Sequence, residues 1–234
     1  MKKALVILSG GQDSTTCLFW AVQKFDEVHA ISFDYGQKHK IELDLAKKVA
    51  QLAGVRTHEI IKVPNILKSM SPLVSDNPLE TYTDYDSMDK VIGDRRELTF
   101  VPMRNALFLT IAANRAELLG IENLITGVCQ LDNANYDDCR SIFIACTESY
   151  INHALGHDHR GTQKIKILTP LIDLTKAETV ELAIKCGAYE AMKYTHTCYA
   201  GVRPPCGECH SCVLRAQGFK ESGHPDPLVE FFKC

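Results

Sequence analysis

The sequence predicts an α/β fold: an open parallel sheet with helices on both faces, followed by a small C-terminal helical region. Three observations carry that expectation. Short apolar runs of strand length alternate with segments of helical period through the N-terminal half. A Gly-Gly loop leads from the first apolar run into the first helical segment. Near the end of the chain, four of the ten cysteines crowd together among prolines, leaving little room for a strand.

The elements follow in order. Residues 4–8 (ALVIL) read as a buried strand, apolar on both faces. Residues 13–24 read as a helix, with Gln12, Asp13 and Ser14 as cap-type residues at its start. Residues 28–33 (VHAISF) form a second strand. A helix over 39–53 places Ile41, Leu45, Val49 and Leu52 at helical spacing and stops at Gly54. Residues 57–63 make a third strand closed by Pro64. This β-α-β-α-β order implies parallel strands joined by right-handed crossovers.

Residues 71–97 break the rhythm, being polar and weakly periodic, and read as a mobile lid or binding loop. An apolar helix over 105–119 ends at Gly120, and a fourth strand spans 123–126. The polar loop GVCQLDNANYDDC follows. A helix over 140–155, a strand over 165–168 and a helix over 176–185 complete the body. The α/β domain is thus expected over residues 1–190 and a C-terminal four-cysteine region over 191–234.

Composition bounds the function. Apolar residues at 45% and charged residues at 24% suit a globular protein of 234 residues. A net charge of −3 with no dense Lys/Arg run gives nucleic acid and anionic membranes no electrostatic footing. The start MKKALVILSGGQ has an apolar part too short for a signal sequence, and no later segment approaches a membrane span. The expected location is cytoplasmic. In a reducing compartment, clustered cysteines bind metal or do chemistry.

The loop LSGGQDSTT is where an anion would sit. A loop running from a buried strand into a helix turns its backbone N–H groups toward the helix's positive end. Gly10 and Gly11 permit close backbone approach, and Ser9, Ser14, Thr15 and Thr16 add hydroxyls. Neither the Walker A pattern nor the dinucleotide fingerprint is met, since no lysine follows the glycines and a third glycine is lacking. Cys198, Cys206, Cys209 and Cys212 form the second constellation. Two C-x-x-C steps suit one tetrahedral Zn²⁺, structural because protein fills all four positions. A redox pair or an iron–sulfur cluster is the rival, and His196 or His210 could replace one cysteine. Residues from Val213 (VLRAQGF) read as a helix that packs this knuckle onto the body.

The pattern S-G-G-x-D-S after the first strand resembles the PP-loop ATP pyrophosphatases, whose fold is Rossmann-like and of the adenine nucleotide alpha hydrolase type. With FDYGQKH, TFVPMRNALFL, ITGVC, YDDCR, TPL, KAE and TCYAG…CGECHSCVLRA, the chain is identified as a member of the 7-cyano-7-deazaguanine synthase (QueC/ExsB) family. The resemblance implies conversion of 7-carboxy-7-deazaguanine and ammonia to the nitrile, with two ATP and Mg²⁺, in a homodimer carrying zinc. It places ATP around Leu8, Ser9, Gly10, Gly11, Gln12, Asp13, Ser14, Thr15, Thr16, Cys17 and Leu18, and along Ile31, Ser32, Phe33 and Gly127. Ser9, Asp13, Ser14, Arg104 and Lys176 would be catalytic, and Arg104, Asp132, Tyr136 and Asp138 would bind the substrate. Two motifs depart from the family's pattern. Met103 replaces the glycine of VPGRN, adding bulk beside Arg104, and QLDNANYDDC differs from the usual loop at Gln130, Leu131, Ala134, Asn135 and Asp137. These departures leave open an amide product, another amine acceptor, or a binding module without catalysis.

Overall fold

The computed structural model describes every residue of the chain except His39, Asn133, Ala134, Gln163 and Cys234. The expected start of the second helix and two positions of the QLDNANYDDC loop therefore lie outside the described residues. Five parallel strands form one sheet: β1 (Lys3–Ile7), β2 (Glu27–Asp34), β3 (Thr57–Lys62), β4 (Asn123–Ile125) and β5 (Lys166–Leu168), in the order β3-β2-β1-β4-β5. The register pairs Ile7 with Ile31 on one side of β1 and Val6 with Ile125 on the other. Strand order reverses at β1, so the crevice beyond its C-terminal end is where an open α/β sheet binds ligands.

Side-chain alternation along β1 assigns the two faces. Leu5 joins a core with Leu109, Ala112 and Ala116 of α4 (Arg104–Leu119) and Ile144 and Ile151 of α5 (Ser141–Leu155). Ala4 and Val6 face the other way, onto Leu18 and Ala21 of α1 (Gln12–Lys24) and Ala46, Val49 and Ala50 of α2 (Ile41–Ala53). Period-two alternation against period-3.6 stripes therefore builds a three-layer body with helices on both faces. Among the described residues no helix is long and apolar enough to cross a membrane.

The 71–97 segment differs from the lid or loop expected of it. It contains α3 (Tyr85–Ile92), opened by a capping box between Asp84 and Ser87. Met88 and Ile92 bury themselves against Val213 and Leu214 of α8 (His210–Ser222). A segment of eight helical residues with only two deeply apolar anchors leaves a weak periodic signal. After the single-turn α6 (His157–Arg160), α7 (Lys176–Lys185) packs on α8, and Val180 and Ala183 share a core with Met192 and Phe219. The chain closes with the short α9 (Pro227–Phe231), held by the buried pair Arg215–Asp226 at 2.6 Å.

Candidate active site

The cavity of about 310 Å³ lies over the C-terminal ends of β1, β2 and β4. Its floor is the glycine loop. Gly10 has φ +85°, and a Cβ there would stand 2.6 Å from the Glu42 carbonyl oxygen, so only glycine lets the loop meet α2 this closely. Gly11 is the N-cap of α1, with no side-chain cap. The cap-type residues Gln12, Asp13 and Ser14 therefore lie inside the helix, and their side chains do not close its N-terminus. First-turn N–H groups without a capping side chain leave that end free for an anion. Ser9 and Ser14 brace the loop: the Ser9 N–H donates to Ser14 Oγ at 3.2 Å, and the two hydroxyls meet at 3.0 Å.

The neighbouring hydroxyls face elsewhere. Thr16 Oγ1 donates to the Gln12 carbonyl at 3.0 Å, and Thr15 is fully buried. Neither lines the cavity, and neither do Gly10, Cys17 and Leu18, which sit under the loop. The expectation of four phosphate-facing hydroxyls narrows to Ser9 and Ser14. Along β2, Ile31 is sealed in the core and its carbonyl accepts the Leu8 N–H at 2.8 Å. Ser32 Oγ donates to the Leu8 carbonyl at 2.5 Å. Only Phe33 of that trio reaches the cavity, stacked on Phe108 with ring centroids 4.2 Å apart. Gly127 lines it too, and a Cβ there would stand 3.0 Å from the backbone of Asp13 and Ser14.

Lys176 is the cation that the loop itself lacks. At the first position of α7 it is 9% exposed, and Nζ donates to Asp13 at 2.9 and 3.1 Å and to Asp132 at 3.0 Å. Burial disfavours its charge, but the two carboxylates outweigh burial and hold the ammonium protonated well above the ordinary lysine range. Gly218 of α8 makes room for it: a Cβ there would stand 2.5 Å from Lys176 Cγ.

Arg104 opens α4 and faces Tyr35, Tyr136, Tyr199 and Asp138. Asp138 itself does not line the cavity. Its carboxylate accepts the Asn105 N–H at 3.3 Å, and burial raises its pKa against the pull of Arg104. Asp138 is thus placed behind Arg104 rather than at an open substrate edge. Tyr136 does line the cavity, with its hydroxyl donating to the buried Glu97 at 3.2 Å. Asp132 belongs with Lys176, beside the glycine loop. Met103, 68% exposed, turns away from the cavity with φ +65°. The position asks for the left-handed backbone glycine adopts freely, so the substitution strains the turn without filling the site.

The far wall comes from the C-terminal region: His196, Tyr199, His210 and Leu214 line the cavity. The His196 N–H donates to the Gly10 carbonyl at 2.8 Å, joining that wall to the floor. Behind it the sulfurs of Cys198, Cys206, Cys209 and Cys212 all lie within 4.8 Å of one another. Zn–S bonds of about 2.3 Å in a tetrahedron give edges of about 3.8 Å, so the cluster fits zinc. Backbone N–H groups of Tyr199, Cys206 and Cys209 donate to these sulfurs at 3.4 Å, the support a thiolate needs.

Comparison with known proteins decides the family. The model of the queuosine biosynthesis protein QueC matches residues 3–223. The chain belongs to the QueC family. Gloeobacter violaceus 7-cyano-7-deazaguanine synthase is 49% identical over 237 residues, covering 100% of this chain and 98% of the relative. The enzymes of that name from Chromobacterium violaceum and Laribacter hongkongensis are each 47% identical, over 98% and 97% of this chain and 94% and 93% of their own. Among solved structures, an NMN synthetase from Francisella tularensis aligns with 99% of this chain and 76% of its own at a TM-score of 0.46 and 12% identity. At that distance the sheet order remains the basis of the fold class.

In this QueC family member the motifs pointed to the loop, Lys176 and Arg104, and the structure brings all three to one cavity. They gave no role to Glu42, Gln37, Tyr35, Tyr199 or Gly218, and offered His210 only as a replacement for one zinc cysteine. FDYGQKH did flag two of these positions, but nothing in its spacing says that the helix just after it returns Glu42 to the same wall.

Proposed function

We infer that this chain is an ATP-dependent ligase that converts 7-carboxy-7-deazaguanine and ammonia to 7-cyano-7-deazaguanine. The observation that carries the reading is the uncapped start of α1 behind Ser9–Ser14, with buried Lys176 beside it, in a chain of the QueC family. Two ATP are needed because a carboxylate must shed two oxygens and neither leaves unaided. In each round a substrate oxygen attacks the α-phosphorus, pyrophosphate leaves, and the oxygen then departs as part of AMP. Ammonia displaces the first AMP to give the amide, and loss of the second gives the nitrile.

The roles follow from position. The Ser9–Ser14 loop grips the β- and γ-phosphates, where oriented N–H groups stabilise the departing pyrophosphate. Lys176 neutralises phosphate charge while Asp13 and Asp132 keep it aimed. Each carboxylate is partly open to the cavity, so the pair could also hold Mg²⁺. Mg²⁺ would supply charge neutralisation at the phosphates. The planar fork of Arg104 suits the substrate carboxylate or the α-phosphate. Tyr136 and Tyr199 supply a wall for the flat base. Zinc on the four cysteines would act structurally, holding the wall that carries Tyr199 and His210. The same reading places the chain in the cytosol as a homodimer, and exposed Val229, Phe231 and Phe232 on and beside α9 support a C-terminal interface.

Incubation with ATP, Mg²⁺, ammonium and 7-carboxy-7-deazaguanine, followed by mass spectrometry, tests the reading. The nitrile should accumulate with twice its amount of AMP. Accumulation of AMP with only the amide, or with no product, would overturn it.

A further inference from the structure

The cavity contains one carboxylate that adenylation leaves unused. Of the three that line it, Asp13 and Asp132 are both tied to Lys176, whereas Glu42 has no ion pair among the described residues. Glu42 stands in the first turn of α2, pressed against the phosphate loop where its carbonyl oxygen meets Gly10. Its side chain is held from behind by Gln37, which is buried and fully committed. The Gln37 carbonyl oxygen accepts the Tyr35 N–H at 2.9 Å, and its amide nitrogen donates to the Phe33 carbonyl at 3.2 Å and to Glu42 Oε1 at 2.8 Å. No described hydrogen bond engages Oε2, and Arg104 is the cation that acts on the carboxyl across the cavity.

Resting on the ligase reading, we propose that Glu42 binds the incoming ammonium through Oε2 and takes the proton that frees its lone pair. Ammonia is almost wholly ammonium at neutral pH and has no lone pair in that form. Proton transfer to Oε2 gives neutral NH₃ beside the adenylated carboxyl. Its lone pair forms the C–N bond, the bond from the acyl carbon to the AMP oxygen breaks, and AMP leaves with that electron pair. The amine's extra proton passes to solvent, and Glu42 returns its own before the next turnover.

The carboxyl is tuned for this exchange. Burial pushes its pKa up to about 7, against the opposing Gln37 hydrogen bond and Arg104. A base near the working pH transfers protons most effectively. The other ionisable groups around the cavity include Lys38 in the β2–α2 loop, Tyr35, Asp13 and Lys176 from α1 and α7, Asp132, Tyr136 and Arg140 of the loop after β4, and His196, Tyr199, His210 and Arg215 of the C-terminal region.

Glu42→Gln keeps the shape and the hydrogen bond from Gln37 while removing the base. Pyrophosphate–ATP exchange driven by 7-carboxy-7-deazaguanine should persist. Amide and nitrile formation from ammonium at pH 7 should fall on the order of 100-fold. The kcat/KM for total ammonia should rise about tenfold per pH unit in the variant, whereas the native profile flattens above about 7. Hydroxylamine, already neutral at pH 7, should restore acyl transfer, and Glu42→Asp should regain part of the plateau. A native pH profile and ammonia KM in Glu42→Gln would overturn the proposal. So would loss of exchange in both variants, which would assign Glu42 to nucleotide binding. Failure of the ligase reading would show separately, as native protein that makes no adenylate.

Discussion

Lys176 and Glu42 show how differently two charges can be arranged in one cavity. Lys176 is matched by two carboxylates, so its charge is retained inside the protein. Glu42 is left with neutral Gln37 as its hydrogen-bond partner, and its carboxyl is raised from 4.5 to about 7. The folded state therefore prefers the protonated form. That preference stabilises the protein fully below pH 4.5 and is lost as pH rises through about 7, a span worth on the order of 3 kcal/mol. Glu42→Gln should accordingly melt higher than the native protein at pH 8, with the gain vanishing near pH 5. Equal melting temperatures at both pH values would contradict the environment described for this carboxyl. The two residues also differed in legibility. Lys176 sits in a short motif at a helix start, whereas the role of Glu42 depends on a fold-back that no local pattern encodes.

At the scale of elements, single glycines decide how closely the pieces of the site approach. Gly218 lies inside α8, where glycine weakens a helix by about 1 kcal/mol relative to alanine. Its place is explained by Lys176, whose Cγ and Cβ lie 2.5 and 2.9 Å from where a Cβ would stand. Gly218→Ala should lower both the melting temperature and pyrophosphate exchange, because helix propensity cannot offset displacement of α7 and its lysine. A variant that gains stability and keeps exchange would contradict this packing. The alternation of strands and helices was readable because each period spans a whole element, and the observed bounds move by a residue or two. α3 was not readable, since eight residues with two buried anchors hardly register as a period. The identity of Met103 suggests bulk beside Arg104, and only its φ of +65° shows a strained turn facing outward.

Across the whole molecule, the cavity lies at the reversal of strand order, with the glycine loop supplying its floor and the C-terminal region its far wall. The four cysteines stand directly behind that wall, so metal binding, folding and the shape of the site are linked. Cys209→Ser should lower zinc content and melting temperature together and reduce turnover. Loss of zinc at an unchanged melting temperature would refute the structural role. Both ends of the site were visible in sequence, as a glycine loop and a cysteine cluster, but their meeting was not. Residues 10 and 196 are joined by one backbone hydrogen bond that spacing along the chain cannot reveal.

In the proposed reaction one loop serves two attacks on an α-phosphorus, each made by an oxygen of the substrate carboxylate. Labelling both carboxylate oxygens with oxygen-18 and analysing the AMP by mass spectrometry tests it most directly. Each nitrile formed should release two AMP, each carrying one labelled oxygen. Unlabelled AMP, or label in the pyrophosphate, would rule out both attacks.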